Sequence, residues 1–179
     1  MASLARALNS LALLLVCAVL LFVLYWEVMR GEFPGGLGLL QRAALVGVGL
    51  GMLLNVRFGS SESHYGVILA SALLGAWVAG RQMLGYIVTA GSFGSAIFDW
   101  HFYTWAFAGF CVIAIFATAL LFMEGQFFEG VRDTRPSSAA QAAGWLFVLV
   151  VLAHTVSALL QCGFESCIDA PSRYELLRK

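Results

Sequence analysis

Charged side chains are scarce in this sequence of 179 residues. They make up 11% of the chain, whereas hydrophobic residues make up 61%, and the mean hydropathy is +0.88. A soluble domain usually carries about 25% charged residues, so this composition is typical of a membrane protein. The formal net charge is zero. The chain therefore lacks the basic surplus of a nucleic-acid-binding protein, and we expect no nucleic-acid partner.

Cysteine and histidine are too few and too scattered for a metal or haem site. The 4 cysteines cannot form a disulfide scaffold, and none lies in a Cys/His cluster with zinc-site spacing. A b-type haem needs two axial ligands at similar depth, but His64, His101 and His154 fall at different heights along their helices. We expect no haem and no metal. Nucleotide-binding fingerprints and nucleophile–base pairings are also missing.

Long uncharged runs are abundant. No charge occurs from Ala7 to Trp26, and this run is too long for a signal peptide, so we interpret it as an anchor. A transmembrane helix needs about 20 apolar residues. We therefore predict an all-α polytopic membrane helix bundle, forming a single integral membrane domain over residues 1–179. The predicted helices lie near 9–28, 37–56, 65–87, 101–123 and 142–160, with a polar surface loop at 124–141.

The orientation of the bundle depends on weak charge differences. Five spans place the termini on opposite sides, and each side then holds four basic residues: Arg6, Arg57, Arg132 and Arg135 with the N-terminus, and Arg30, Arg173, Arg178 and Lys179 opposite. The positive-inside rule does not decide between two equal counts. The first helix usually dominates orientation, so we predict a cytoplasmic N-terminus and an external tail at 161–179.

Two arginines fall inside predicted spans. Arg42 and Arg81 would lie roughly 8–9 Å below the outer surface, at ~1.5 Å of rise per residue. Ionisable groups at this depth usually face the bundle interior and are functional candidates. The alternative is that they extend to the interface or pair with Glu27 as structural contacts. His101 lies at a similar height. We interpret His154, in the middle of the last helix, as a polar contact between helices.

Small residues recur every four positions in the second and third helices. This spacing lets helix backbones approach closely in lipid, so we predict that these two helices are central to the bundle. The residues are Ala43, Gly47 and Gly51 in one helix and Ser71, Gly75 and Ala79 in the other.

The cysteines fall into two kinds. Cys17 and Cys111 lie inside apolar helices and are expected in the core. Cys162 and Cys167 follow the last helix in CGFESC. In an oxidising compartment such a pair forms a structural disulfide or, alternatively, a substitute redox pair.

The segment PGGLGLLQR at 34–42 resembles the P-C-x-x-C-x-x-Q-R turn of the DsbB-type membrane thiol oxidases. The segments GAWVAGRQ and GSAIFDWHFYTWAF and the ending CGFESCIDAPSRYELL are similar to one branch of that family. The resemblance extends from Pro34 to Leu177. It implies a DsbB-like four-helix core, here with a fifth transmembrane helix, in a bacterial inner membrane with the tail in the periplasm.

The resemblance also implies a quinone near the periplasmic face. The family's arginine beside the quinone ring corresponds to Arg42, and Gln41, Arg81 and His101 are further candidates for the same pocket. Gly35 and Gly38 occupy the positions of the two redox cysteines, so the standard thiol relay has no sulfur at this loop.

Two functions remain open at this stage. The chain is either an accessory or binding subunit of a larger membrane complex, or a quinone-dependent disulfide oxidoreductase that uses Cys162 and Cys167. The expected partners are membrane lipid, quinone, a larger membrane complex or a periplasmic thioredoxin-like protein.

Overall fold

The structure, a computed structural model, describes residues 2–89, 96–123, 125–128, 137–163, 174 and 176. Helices and one short hairpin make up nearly all of this part of the chain. The elements are α1 (Ala2–Arg30), α2 (Gly36–Phe58), α3 (Glu62–Thr89), β1 (Ala96–Ile97), β2 (Trp100–His101), α4 (Phe102–Leu121), α5 (Gly125–Phe128) and α6 (Ser138–Cys162).

The five long helices are each long and apolar enough to cross a membrane, as predicted. Most of them extend beyond the predicted bounds: α1 begins at residue 2 rather than 9, and α3 covers 62–89 rather than 65–87. The apolar run marks only the part of a helix that lies in lipid, whereas the helix continues into polar residues at the interface. The exception is α4, which begins one residue later than predicted and ends at Leu121 rather than 123.

The predicted surface loop at 124–141 is wrong at both of its ends. Its first part contains the single turn α5, and its last part is already the start of α6. The reason for the early start of α6 is local, because the Ser137 hydroxyl caps the helix by accepting from the Ala140 amide at 3.2 Å. The hairpin was also not predicted; it pairs Ala96 with His101 and Ile97 with Trp100 in antiparallel register.

The closest helix packing occurs between α2 and α3 and between α3 and α4, while α6 packs mainly on α1. Small residues explain the first contact. A Cβ placed on Gly51 would lie 2.8 Å from the His64 carbonyl oxygen, and one on Gly47 would lie 2.5 Å from the Ser71 hydroxyl. The helices therefore approach as the four-residue spacing predicted.

The chain direction places two groups of connections at opposite ends of the bundle. We call the end with the α1–α2 connection, the hairpin and the last turn of α6 the Pro34 end, and the other the Asn55 end. A buried network closes the Asn55 end. Asn55 donates to Asn9 (3.1 Å), and Asn9 donates to the Tyr65 hydroxyl (2.8 Å). All three side chains are fully buried, so their hydrogen bonds offset the cost of placing amides among apolar helices.

Candidate functional site

The connection before α2 forms a turn with little side-chain bulk. Gly35 is the N-cap residue of α2, with φ −70° and ψ 178°, a conformation open to any residue. Gly38 lies in the first helical turn, where an added Cβ would approach the Pro34 Cβ to 2.9 Å. Since a proline ring is stiff, any side chain at position 38 requires the turn to shift. The backbone at position 35 suits any residue type, whereas position 38 is closely packed.

One helical turn further along α2, Arg42 extends into the bundle. Its guanidinium lies 2.5 Å from Glu27 Oε2 on α1, and the two side chains are 12% and 0% exposed. An ion pair in such an environment retains its charges only with close geometry and further hydrogen bonds. The structure therefore shows Arg42 paired with Glu27, which was the predicted alternative to a role in ligand binding.

The second carboxylate oxygen of Glu27 supplies those further bonds. It accepts from the Ser157 hydroxyl on α6 at 2.5 Å and from the Tyr174 hydroxyl at 2.9 Å. One buried carboxylate thus connects α1, α2, α6 and the C-terminal segment. We call Glu27, Arg42, Ser157 and Tyr174 the Glu27 cluster.

Burial raises the pKa of the Tyr174 phenol, and the hydrogen bond that it donates to Glu27 raises this pKa further. Both effects favour the protonated phenol, since a phenolate next to the carboxylate would place two like charges together. The Tyr174 ring also contacts Phe33 edge-on, with ring centroids 4.7 Å apart. Tyr174 therefore connects the C-terminal segment to the connection between α1 and α2.

A polar face on α6 continues the cluster in both directions. His154, Ser157 and Gln161 recur at three- and four-residue spacing and are all buried. His154 Nε2 donates to the Leu20 carbonyl at 3.0 Å, which fits its expected role as a polar contact between helices. Gln161 Nε2 donates to the Pro34 carbonyl. The other ring nitrogen of His154 and the amide oxygen of Gln161 are buried and have no hydrogen-bond partner among the described residues.

The remaining candidate residues make other contacts. Gln41 donates to Gln82 on α3 at 2.7 Å. Arg81 is exposed on the outside of the bundle, in a groove between α3 and α4. His101 stacks on Tyr103 with ring centroids 5.2 Å apart, and its buried Nδ1 has no hydrogen-bond partner in the part of the chain that the structure describes. Within the part of the chain that the structure describes, no hydrogen bond or ion pair joins Arg42 to Arg81 or His101.

The described cysteines are of the two predicted kinds, free thiols within helices and a disulfide-bonded cysteine at the end of the last helix. Cys17 is a buried free thiol and Cys111 a partly buried one. Cys162 is disulfide-bonded. Cys167 lies outside the described residues, so the pairing of Cys162 with Cys167 stays a prediction.

Three members of this polar region were missed by sequence reasoning. Ser157 and Gln161 carried a usable signal, because they lie three and seven residues after His154 and so share its helix face. Tyr174 belongs to no periodic segment, and its signal was its place in the family-like ending CGFESCIDAPSRYELL. For Glu27, the sequence predicted only the alternative pairing with Arg42.

The fold and this site define a polytopic helical membrane protein whose spans are joined by a buried ion pair. Among protein families, the model described as "Disulfide bond formation protein DsbB" matches residues 5–90, which include nearly all of α1 and the whole of α2 and α3. Over these residues the chain is similar to the DsbB-type membrane proteins of disulfide bond formation. This match and the five helices able to span a membrane support an inner-membrane protein related to disulfide bond formation. No curated protein and no solved structure gives a significant match.

Proposed function

We propose that this protein keeps the DsbB-type helical core without the thiol-oxidase relay, and acts as an accessory or binding subunit of a membrane complex. The observation that supports this proposal is the loop that opens α2. Gly35 and Gly38 stand where the family resemblance places two cysteines, and Gly38 packs directly against Pro34.

The chemistry of the relay requires sulfur at that place. A thiolate must attack a disulfide sulfur to form a mixed disulfide, and the electrons then pass to the quinone. Glycine has no side chain that can take part in either step. The two free thiols, Cys17 and Cys111, lie within the spans α1 and α4, where a water-soluble dithiol has no access.

We further propose that a quinone head group binds beside Arg42 and Gln41. A guanidinium has five N–H donors, and the contact with Glu27 uses one terminal nitrogen, NH1. The remaining donors can hydrogen-bond a quinone carbonyl. Arg81 and His101 make no hydrogen bond or ion pair with Arg42 among the described residues, so we leave them out of the proposed pocket.

Quinone retention tests this pocket. Arg42→Met is made in a Glu27→Gln background, so that no buried charge is left unpaired. We expect the double variant to lose quinone relative to the parent protein, measured in the lipid extract of the purified protein. Arg81→Met is the control and should retain quinone. A parent protein without quinone, or equal retention in all variants, would refute the pocket.

A second candidate function is supported by the position of Cys162. Its neighbour Gln161 donates a hydrogen bond to the Pro34 carbonyl, so the disulfide at Cys162 lies close to the loop where the family carries its redox cysteines. In this alternative the tail cysteines replace the missing pair.

A turnover assay separates the two functions. The purified protein is supplied with quinone and a reduced thioredoxin-like periplasmic protein, and quinone reduction is followed by absorbance. We expect no turnover above the protein-free rate. Turnover that disappears in Cys162→Ala but persists in Cys111→Ala would establish the second function and exclude the first.

A further inference from the structure

An open groove runs along the lipid-facing side of the bundle between α3 and α4. Its volume is about 460 Å³. The floor is narrow because a Cβ on Gly80 would lie 3.4 Å from the Phe107 ring. The walls are exposed, since Trp77 and Leu84 are 62% and 63% exposed. The groove is lined by Ala76, Trp77, Gly80, Arg81, Leu84 and Phe107.

Arg81 is the one charged residue among the groove-lining side chains. It is exposed, and no acidic side chain pairs with it among the residues that the structure describes. It lies less than two helical turns before Ile87, the last residue of the apolar span, which is about 9 Å along the helix axis. At this depth a long side chain reaches towards the head groups while its stem remains in the hydrocarbon region.

An unpaired cation at this depth requires an anion, because a charge facing lipid without one is costly. Phosphate is the anion that a membrane offers at that height. A guanidinium matches phosphate oxygens in bidentate geometry. Directly beside Arg81, the apolar walls formed by Trp77, Leu84 and Phe107 offer a place for an acyl chain.

We propose that this groove binds a single diacyl phospholipid, with its phosphate on the Arg81 guanidinium and an acyl chain along Gly80 and Trp77. Charge complementarity and the continuous apolar walls favour a phospholipid over a second helix, which would leave the arginine unpaired. This site is separate from the Glu27 cluster, and the inference does not depend on the proposed function.

Lipid retention in native mass spectrometry tests this site. The purified protein is delipidated and then exposed to phosphatidylglycerol. We expect Arg81→Gln to reduce the bound fraction by about tenfold or more, corresponding to roughly 1.4 kcal/mol, and Arg81→Lys to reduce it less. Gly80→Leu should also reduce binding, because it fills the groove without changing any charge.

Arg30→Gln is the matched control. Arg30 is an exposed arginine at the same end of the bundle, with its guanidinium 4.9 Å from the Trp26 ring centre, and it lies outside the groove. The control should bind as the parent does. The inference is overturned if Arg81→Gln binds as the parent does, or if Arg30→Gln loses lipid equally.

Two further ligands identify what the groove recognises. Glycerol 3-phosphate carries the phosphate without chains, and diacylglycerol carries the chains without phosphate. We expect weak binding of both. Equal binding of either one, or displacement of the phospholipid by one equivalent of quinone, would also overturn the proposal. Size-exclusion profiles identical to the parent confirm that each variant is folded.

Discussion

Glu27 is the residue on which the polar part of this bundle depends. Its side chain is fully buried, and its two oxygens accept from Arg42, Ser157 and Tyr174. Breaking a buried ion pair by removing one partner costs more than removing both, because the remaining charge has no compensation. At this position the carboxylate links α1 to α2, α6 and Tyr174 through hydrogen bonds.

A double-mutant cycle tests the pair. Glu27→Gln leaves the Arg42 charge without its partner and should destabilise the protein by about 3–5 kcal/mol. Adding Arg42→Met should restore most of that loss. Unfolding in detergent at increasing denaturant gives both values. The exposed Glu32→Gln serves as control, with an effect below about 1 kcal/mol. Purely additive losses from the two substitutions would contradict the coupling.

Tyr174 gives the cluster a pH dependence. Its pKa is raised above the ordinary value of about 10. Because the folded state favours the protonated phenol, the stabilisation is fully present below that ordinary pKa and is lost as the pH rises through the folded value. Tyrosinate absorbance titrations of the parent and of Tyr174→Phe test this assignment. Tyr174→Phe should remove one late-ionising group; loss of an early one would refute the assignment.

At the scale of helices, the contact between α2 and α3 is set by small side chains. Gly51 is the closest example, because a Cβ there would lie 2.5 Å from Ile68 Cγ1 and 2.8 Å from a backbone oxygen. A backbone atom cannot rotate away as a side chain can, so any larger residue must push the helices apart. The four-residue spacing is therefore a packing feature.

Gly51→Ala is expected to destabilise the bundle by about 1–3 kcal/mol, the usual cost of overpacking. The matched control is Gly66→Ala on α3, where an added Cβ meets nothing within 4 Å. That substitution should stabilise the helix by about 0.5–1 kcal/mol, because alanine is a better helix former than glycine. Thermal unfolding of both variants measures the two effects. Equal shifts of the same sign would refute the packing argument.

At the scale of the whole molecule, five spans imply that the two termini lie on opposite sides of the membrane. The orientation itself remains a prediction, since the basic residues divide equally between the two sides. The Glu27 cluster and the disulfide at Cys162 both lie at the Pro34 end. Their compartment therefore depends on that orientation.

Reporter fusions decide the orientation. A reporter that is active only outside the cytoplasm, fused after Lys179, should give signal, and the same reporter fused in the α2–α3 turn at Ser60 should not. The second fusion controls for leakage, since Ser60 lies at the Asn55 end. The reversed pattern would place the Pro34 end in the cytoplasm and would exclude a periplasmic role for the Glu27 cluster.

Much of the fold was predictable because its signals are local. Apolar runs identified all five spans, since a stretch of about 20 such residues favours lipid wherever it occurs in a chain. Helix ends were less predictable. The cap at Ser137 outweighed the polar composition that suggested a loop, and the hairpin at 96–101 had no strong turn signal.

The sequence by itself determined two features: five apolar runs long enough to span a membrane, and the absence of sulfur at positions 35 and 38. Only the tertiary structure decided which polar groups meet. Arg42 was correctly placed inside the bundle, but its environment comes from Ser157 and Tyr174, more than a hundred residues away. Arg81, predicted at a similar depth, is instead exposed on the outside of the bundle. Hydropathy reports how deep a residue lies, whereas the rotation of each helix, which depends on its packing against neighbours, decides which way the residue faces.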